Sequence, residues 1–181
     1  MNRISRLLLL AGLLGFASTL TAAEKPKLTF AAQEYDLAFV DLGISGVINE
    51  YVPPGEKVDT WKSLITVQQA PQANDPAAVA EAVLKAATSN DSLASKPQVL
   101  YRDGIKNRVD LIVLLLIKDP AHAGNELSIQ RYVKEEGAIG VKTYIYGRRI
   151  PTGSEPPTQA QLNTWIAALW DFKAGTFKSM P

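Results

Sequence analysis

Residues Val109 to Ile117 read Val-Asp-Leu-Ile-Val-Leu-Leu-Leu-Ile, a nearly continuous apolar run bounded by polar residues. Its length and β-branched content favour a central strand buried on both faces over a helix. A strand of that kind obliges the rest of the chain to build a sheet beside it and helices over it. The flanking sequence supplies the neighbours. Val99-Leu100-Tyr101-Arg102 reads as a strand ending at the turn signal Asp103-Gly104. After the loop Lys118 to Asn125, the segment Glu126 to Val133 returns, Glu135-Glu136-Gly137 turns, and Ile139 to Tyr146 comes back again. This is an antiparallel meander.

The first half adds more strands. Glu24 to Lys27 reads as a polar leader, and the first strand is expected at Leu37 to Ile44. Gly43 and Gly46 punctuate the passage to Val47–Val52, and Pro53-Pro54-Gly55-Glu56 is a turn by composition. Trp61 to Val67 follows, strand-like in Leu64-Ile65-Thr66-Val67.

Two helices are signalled. Asp75 can cap the first, Pro76 fits its first position, and Val79, Val83, Leu84 and Ala87 recur at helical spacing up to Asn90 and Asp91. For the second, Thr158 and Gln161 match a capping box. Leu162, Trp165, Ile166, Leu169 and Phe172 form its apolar stripe, and Gly175 sits where a C-terminal cap belongs. Pro151 to Pro157 reads as a surface connector. The order of three strands, helix, four strands, helix predicts an α+β fold with a single antiparallel β-sheet and two main helices packed on it.

The chain start predicts export. Arg3 and Arg6 form a basic region, an apolar stretch from Leu7 to Ala17 follows, and Ser18 to Ala23 offers small residues for cleavage after Ala22 or Ala23. The apolar stretch is shorter than the roughly 20 residues of a spanning helix, so no stable membrane span is expected after cleavage. Residues 1–23 are thus read as a cleaved signal peptide and 24–181 as one domain, periplasmic or secreted. Losing Arg3 and Arg6 turns the formal charge of +1 into about −1, a balance that argues against nucleic acid as a partner. With no cysteine, disulfides, thiol catalysis and thiolate metal sites are excluded.

Chemistry-bearing patterns are sparse. His122, the sole histidine, lies in a loop near Asp119 and Glu126 and reads as a solvated loop residue. Gly43-Ile44-Ser45-Gly46 misses a nucleophile elbow by one position. Carboxylates occur singly or as Glu135-Glu136, a solvated hairpin tip, so the residues call for no metal and no cofactor. No catalytic residue is assigned. The candidate binding residues are Tyr144, Tyr146, Arg148 and Arg149, which pair amphipathic rings with planar cationic donors, and an edge of Glu50, Tyr51, Asp59 and Trp61. The alternative for that edge is structural, with Trp61 anchoring the turn on the core and Asp59 capping a short helical turn.

The same segment carries a resemblance. Glu50-Tyr51-Val52-Pro53, Gly55-Glu56, Asp59, Trp61 and Leu64-Ile65-Thr66-Val67 resemble a pattern in small uncharacterised secreted or periplasmic proteins of Gram-negative bacteria. At fold level the layout is similar to Mog1/PsbP-like α/β sandwiches. That resemblance implies a binding or accessory module and brings no catalytic residues. The reading is therefore an exported, non-enzymatic module of the cell envelope that binds an envelope protein or a small ligand. The alternative is a small periplasmic hydrolase using carboxylate and Arg/Tyr side chains. Convergence of His122 with a carboxylate in a pocket would favour the enzyme.

Overall fold

The computed structural model describes residues 25–43, 46–102 and 108–178. The predicted signal peptide (residues 1–23), the Ile44-Ser45 pair and the Asp103-Gly104 turn lie outside them. The described elements are β1 (Lys27–Phe30), β2 (Gln33–Gly43), β3 (Gly46–Val52), β4 (Ser63–Ala70), α1 (Pro76–Ser89), β5 (Gln98–Tyr101), β6 (Asp110–Asp119), β7 (Gly124–Val133), β8 (Val141–Pro151) and α2 (Gln159–Asp171). The strands form one antiparallel sheet in the order β1-β2-β3-β4-β8-β7-β6-β5. Two four-stranded meanders thus meet along the β4–β8 ladder, which runs from Ser63 opposite Arg148 to Ala70 opposite Val141. The expected α+β class with a single antiparallel sheet and two helices holds.

The strand count before the first helix is four, not three. The first strand, Lys27–Phe30, begins at the last residue of the expected polar leader and fills a stretch given no element before Leu37, and it reaches β2 through Ala31 and Ala32 at φ 47° and 64°. Tight hairpin turns of this kind favour Asn-Gly because both residues take positive φ, and two alanines give no such signal. The last strand also runs past Tyr146 to Pro151, carrying Arg148 and Arg149 inside the β4–β8–β7 ladders.

The helices cover opposite faces. On β6, Leu111, Val113 and Leu115 pack with Ala77, Ala80, Val83 and Leu84 of α1. The alternate residues Ile112, Leu114 and Leu116 belong to the cluster holding Leu162, Trp165, Ile166 and Leu169 of α2. The run that dictated the fold therefore meets apolar partners on both faces, closely on the α1 side and only in part on the α2 side. The α1 cap is as expected, Asp75 Oδ1 accepting from the amides of Ala77 at 2.9 Å and Ala78 at 3.3 Å. Both halves of the Thr158–Gln161 capping box form.

The end of α2 differs from expectation. The helix stops at Asp171 with Phe172 as its cap in extended geometry, so Gly175 caps nothing. Arginines take that role instead. Arg131, 3 % exposed, grips both oxygens of Asp110 at 2.8 Å and donates to the carbonyls of Leu169 and Phe172. Arg102 donates to the Trp170 carbonyl at 3.1 Å. Cationic donors at a helix C-terminus satisfy carbonyls that have no partner within the helix. Beyond it, the fully buried Asn49 exchanges two hydrogen bonds with the backbone of Phe177, at 2.6 and 2.9 Å, and pins the tail across the sheet.

Candidate functional site

The site is built from the turn before β4. The amide of Glu56 bonds the Pro53 carbonyl at 2.9 Å, and that of Thr60 bonds the Lys57 carbonyl at 3.1 Å. Glu56 then reaches forward to accept from the Lys62 amide at 2.8 Å. Glu56 is thus the carboxylate that ties this turn, and Asp59 does not cap it. Asp59 is exposed at the cleft rim and offers its backbone carbonyl to Arg149 Nη1 at 3.3 Å.

Trp61 arrives at the edge of the sheet 7 % exposed. It lies on Gly147, the position of β8 where a side chain would intrude. A Cβ there would stand 3.2 Å from Trp61 Cη2 and 3.4 Å from Glu126 Oε1. Two residues along, on the same face, the Arg149 guanidinium sits 4.3 Å from the Trp61 ring centroid. Its Nη1 donates to the Trp61 carbonyl at 3.0 Å, while its Nε is buried without a hydrogen bond, 3.6 Å from Asp119 Oδ2.

Asp119 closes β6 and leads into a 3-10 turn, Pro120–His122, after which Ala123 takes φ 50°. That turn folds His122 back, so that its Nδ1 lies 2.9 Å from both Asp119 oxygens. Glu126 stands opposite Arg149 in the β7–β8 ladder. Burial, and then the Asp119 charge, push its carboxyl above the ordinary range, against the pull of Arg149 and His122. Asp59, Trp61, Asp119, His122, Arg148 and Arg149 wall a cleft of about 510 Å³. This volume lies within the range of small-molecule sites, roughly 300–1,000 Å³.

Three of the predicted binding residues therefore bring their side chains together here, Asp59, Trp61 and Arg149, whereas Arg148 borders the cleft but turns its guanidinium to the opposite face, 5.3 Å from the Trp165 ring centroid. The others do not join them. Tyr144 and Tyr146 are buried on the opposite face in the α2 core, as is Tyr51. Tyr144 donates to Glu135 at 2.6 Å, and Glu135 also pairs with Lys142 at 2.9 Å, so this carboxylate is anchored rather than free at a hairpin tip. Glu50 and Tyr51 are neighbours on β3 and point to opposite faces, so no single edge presents both. Glu50 faces the Trp61 side of the sheet, its carboxyl raised by burial.

Sequence reasoning passed over Asp119, His122 and Glu126 as loop groups. The signal was the spacing Asp119-Pro120-Ala121-His122, which one tight turn brings into contact. His122 is 42 % exposed, so it is solvated as expected but not alone. Chemically, the cleft offers an imidazole oriented by a carboxylate and an arginine laid on an indole, with the Glu126 carboxyl beside Gly147, behind its lining. Among the described residues, no group of three His, Asp or Glu side chains could hold a metal ion.

No curated protein and no solved structure matches the chain. A family model does match, from residue 22 to residue 173, and the chain therefore belongs to that family of uncharacterised proteins.

Proposed function

We propose that the protein is an exported, non-enzymatic binding module of the bacterial cell envelope, with the Trp61–Arg149 cleft as its site for a small ligand. The carrying observation is convergence. Three distant segments (59–62, 119–125 and 148–151) meet there, and an arginine is immobilised on an indole beside an oriented imidazole. Preorganised donors of this kind recognise polar ligands at little ordering cost. Export rests on the basic start and apolar stretch of residues 1–23, most of which precede the matched family region at 22–173. The layering, one helix on each face of a single sheet, supports a sandwich of Mog1/PsbP type.

The test is a melting series with acetate, phosphate, free amino acids and short peptides, together with native mass spectrometry of protein recovered from the periplasm. At least one ligand should raise the melting temperature of the wild type and fail with Arg149→Lys, which cannot reproduce the planar fork. If no ligand stabilises and none co-purifies, the small-ligand reading is overturned. Capture of a periplasmic protein instead would place an envelope partner at the site.

One observation favours the hydrolase reading. Glu126, its carboxyl raised by burial, stands near the Asp119–His122 pair, which brings an imidazole and a carboxylate into one cleft. Chromogenic esters and glycosides test it. Turnover by the wild type that Glu126→Gln abolishes would replace the binding reading with catalysis.

A further inference from the structure

A second cavity, of about 510 Å³, lies on the opposite face of the sheet from the Trp61 cleft. It exists because α2 packs on β7 and β8 and stops short of the sheet edge at β6 and β5. Leu114, Leu116 and Leu127 form its floor, with Ile150 and Leu162 as a side wall. Leu114, Leu116, Ile150 and Leu162 are only partly buried, so the core is left open along this trench. The Pro151–Pro157 strap borders one side and Ser95, Lys96 and Gln98 the other.

Both borders are fixed. The amide of Thr152 and its Oγ1 both bond the Ala123 carbonyl, at 2.9 and 2.6 Å, and the Ser154 amide bonds the Pro151 carbonyl at 3.0 Å. Gly153, at φ 82°, lets the strap turn there. On the other side, the Ala94 amide bonds the Leu116 carbonyl at 2.7 Å and the Lys118 amide bonds the Ser92 carbonyl at 2.8 Å, which holds the segment leading to Lys96. Among the described residues, Lys96 is the one charged side chain on the lining.

We propose that this trench binds a free single-chain amphiphile with an anionic head, a fatty-acid carboxylate. Its acyl chain lies on Leu114, Leu116 and Leu127, and its carboxylate meets Lys96. The apolar floor supplies the affinity, a site already shaped loses little entropy on binding, and a lining with one cation and no carboxylate sets the sign of the head group. The neutral donors Ser95 and Gln98 beside Lys96 suit carboxylate oxygens.

Isothermal titration of the purified protein with laurate, dodecyltrimethylammonium and butyrate tests this, each below its micellar concentration. Laurate should bind, dodecyltrimethylammonium at least about tenfold more weakly, and butyrate not measurably. Lys96→Glu, at an exposed position, should weaken laurate by about tenfold without moving the melting temperature. Leu162→Trp should fill the trench and abolish laurate binding, with folding checked by circular dichroism. Arg149→Lys, in the other cleft, should leave laurate binding unchanged, so the two sites fail separately. No laurate binding, equal affinity for both head groups, or indifference to both trench variants would each overturn the proposal.

Discussion

Trp61 illustrates how one side chain can serve both stability and recognition. It covers Gly147 and supports Arg149, so Trp61→Ala should cost about 3–5 kcal/mol, the range for truncating a buried indole. Asp59→Ala should fall within about 0.5 kcal/mol of wild type, since that side chain is exposed and the bond to Arg149 uses the backbone. Urea unfolding of the two variants checks both values. Glu126 gives a prediction in pH. Its carboxyl is raised above the ordinary 4.5 chiefly by burial, so folding penalises the ionised form. That penalty is absent below the unfolded value and develops as pH rises through the folded one. Glu126→Gln should therefore raise the melting temperature at pH 7, and the gain should vanish near pH 4. An equal gain at both pH values would show that charge is not the cause. At Arg131, replacement by Met takes from the buried Asp110 its two-pronged partner, leaving only Arg102 at 3.3 Å, and removes the side-chain donor from the carbonyls of Leu169 and Phe172. A loss of about 3–5 kcal/mol is expected by the same unfolding measurement.

Among the elements, those with a local signal were legible in the sequence and those made by distant contacts were not. The α1 and α2 starts could be read because a cap lies within three residues of what it caps. The central strand could be read because burial on both faces leaves an apolar run. The first strand could not, because its turn is made of alanines in a conformation they disfavour, at about 1–2 kcal/mol per residue. Replacing Ala31-Ala32 by Asn-Gly should therefore stabilise the protein by about 1–2 kcal/mol, readable as an upward shift in the melting curve. The end of α2 was misplaced for the opposite reason. Gly175 is the local signal, yet the carbonyls are met by Arg131 and Arg102, far away in sequence. The site was half legible. Trp61 and Arg149 stand out by residue type, whereas Tyr51, Tyr144 and Tyr146 look alike in sequence whether they face solvent or the core, and only the strand phase decides.

For the whole molecule, protection should follow position in the sheet. Amides of β6 and β7, covered on both faces, should exchange slowest. Those of the four-residue edge strands β1 and β5 should exchange fastest, a gradient that hydrogen-exchange mass spectrometry resolves. Uniform protection would mean that the two meanders open as one unit. The β4–β8 ladder has a further consequence, in the timing of folding. The strand at the centre of the sheet is among the last to be synthesised, and its partner residues are made 71 to 85 positions earlier. Until residues 141–151 have emerged, the first meander has an open inner edge and the second cannot close. Pairings so distant along the chain form slowly. Such a chain stays unlocked while it is being made, the condition a polypeptide must meet to be threaded through a narrow channel before it folds.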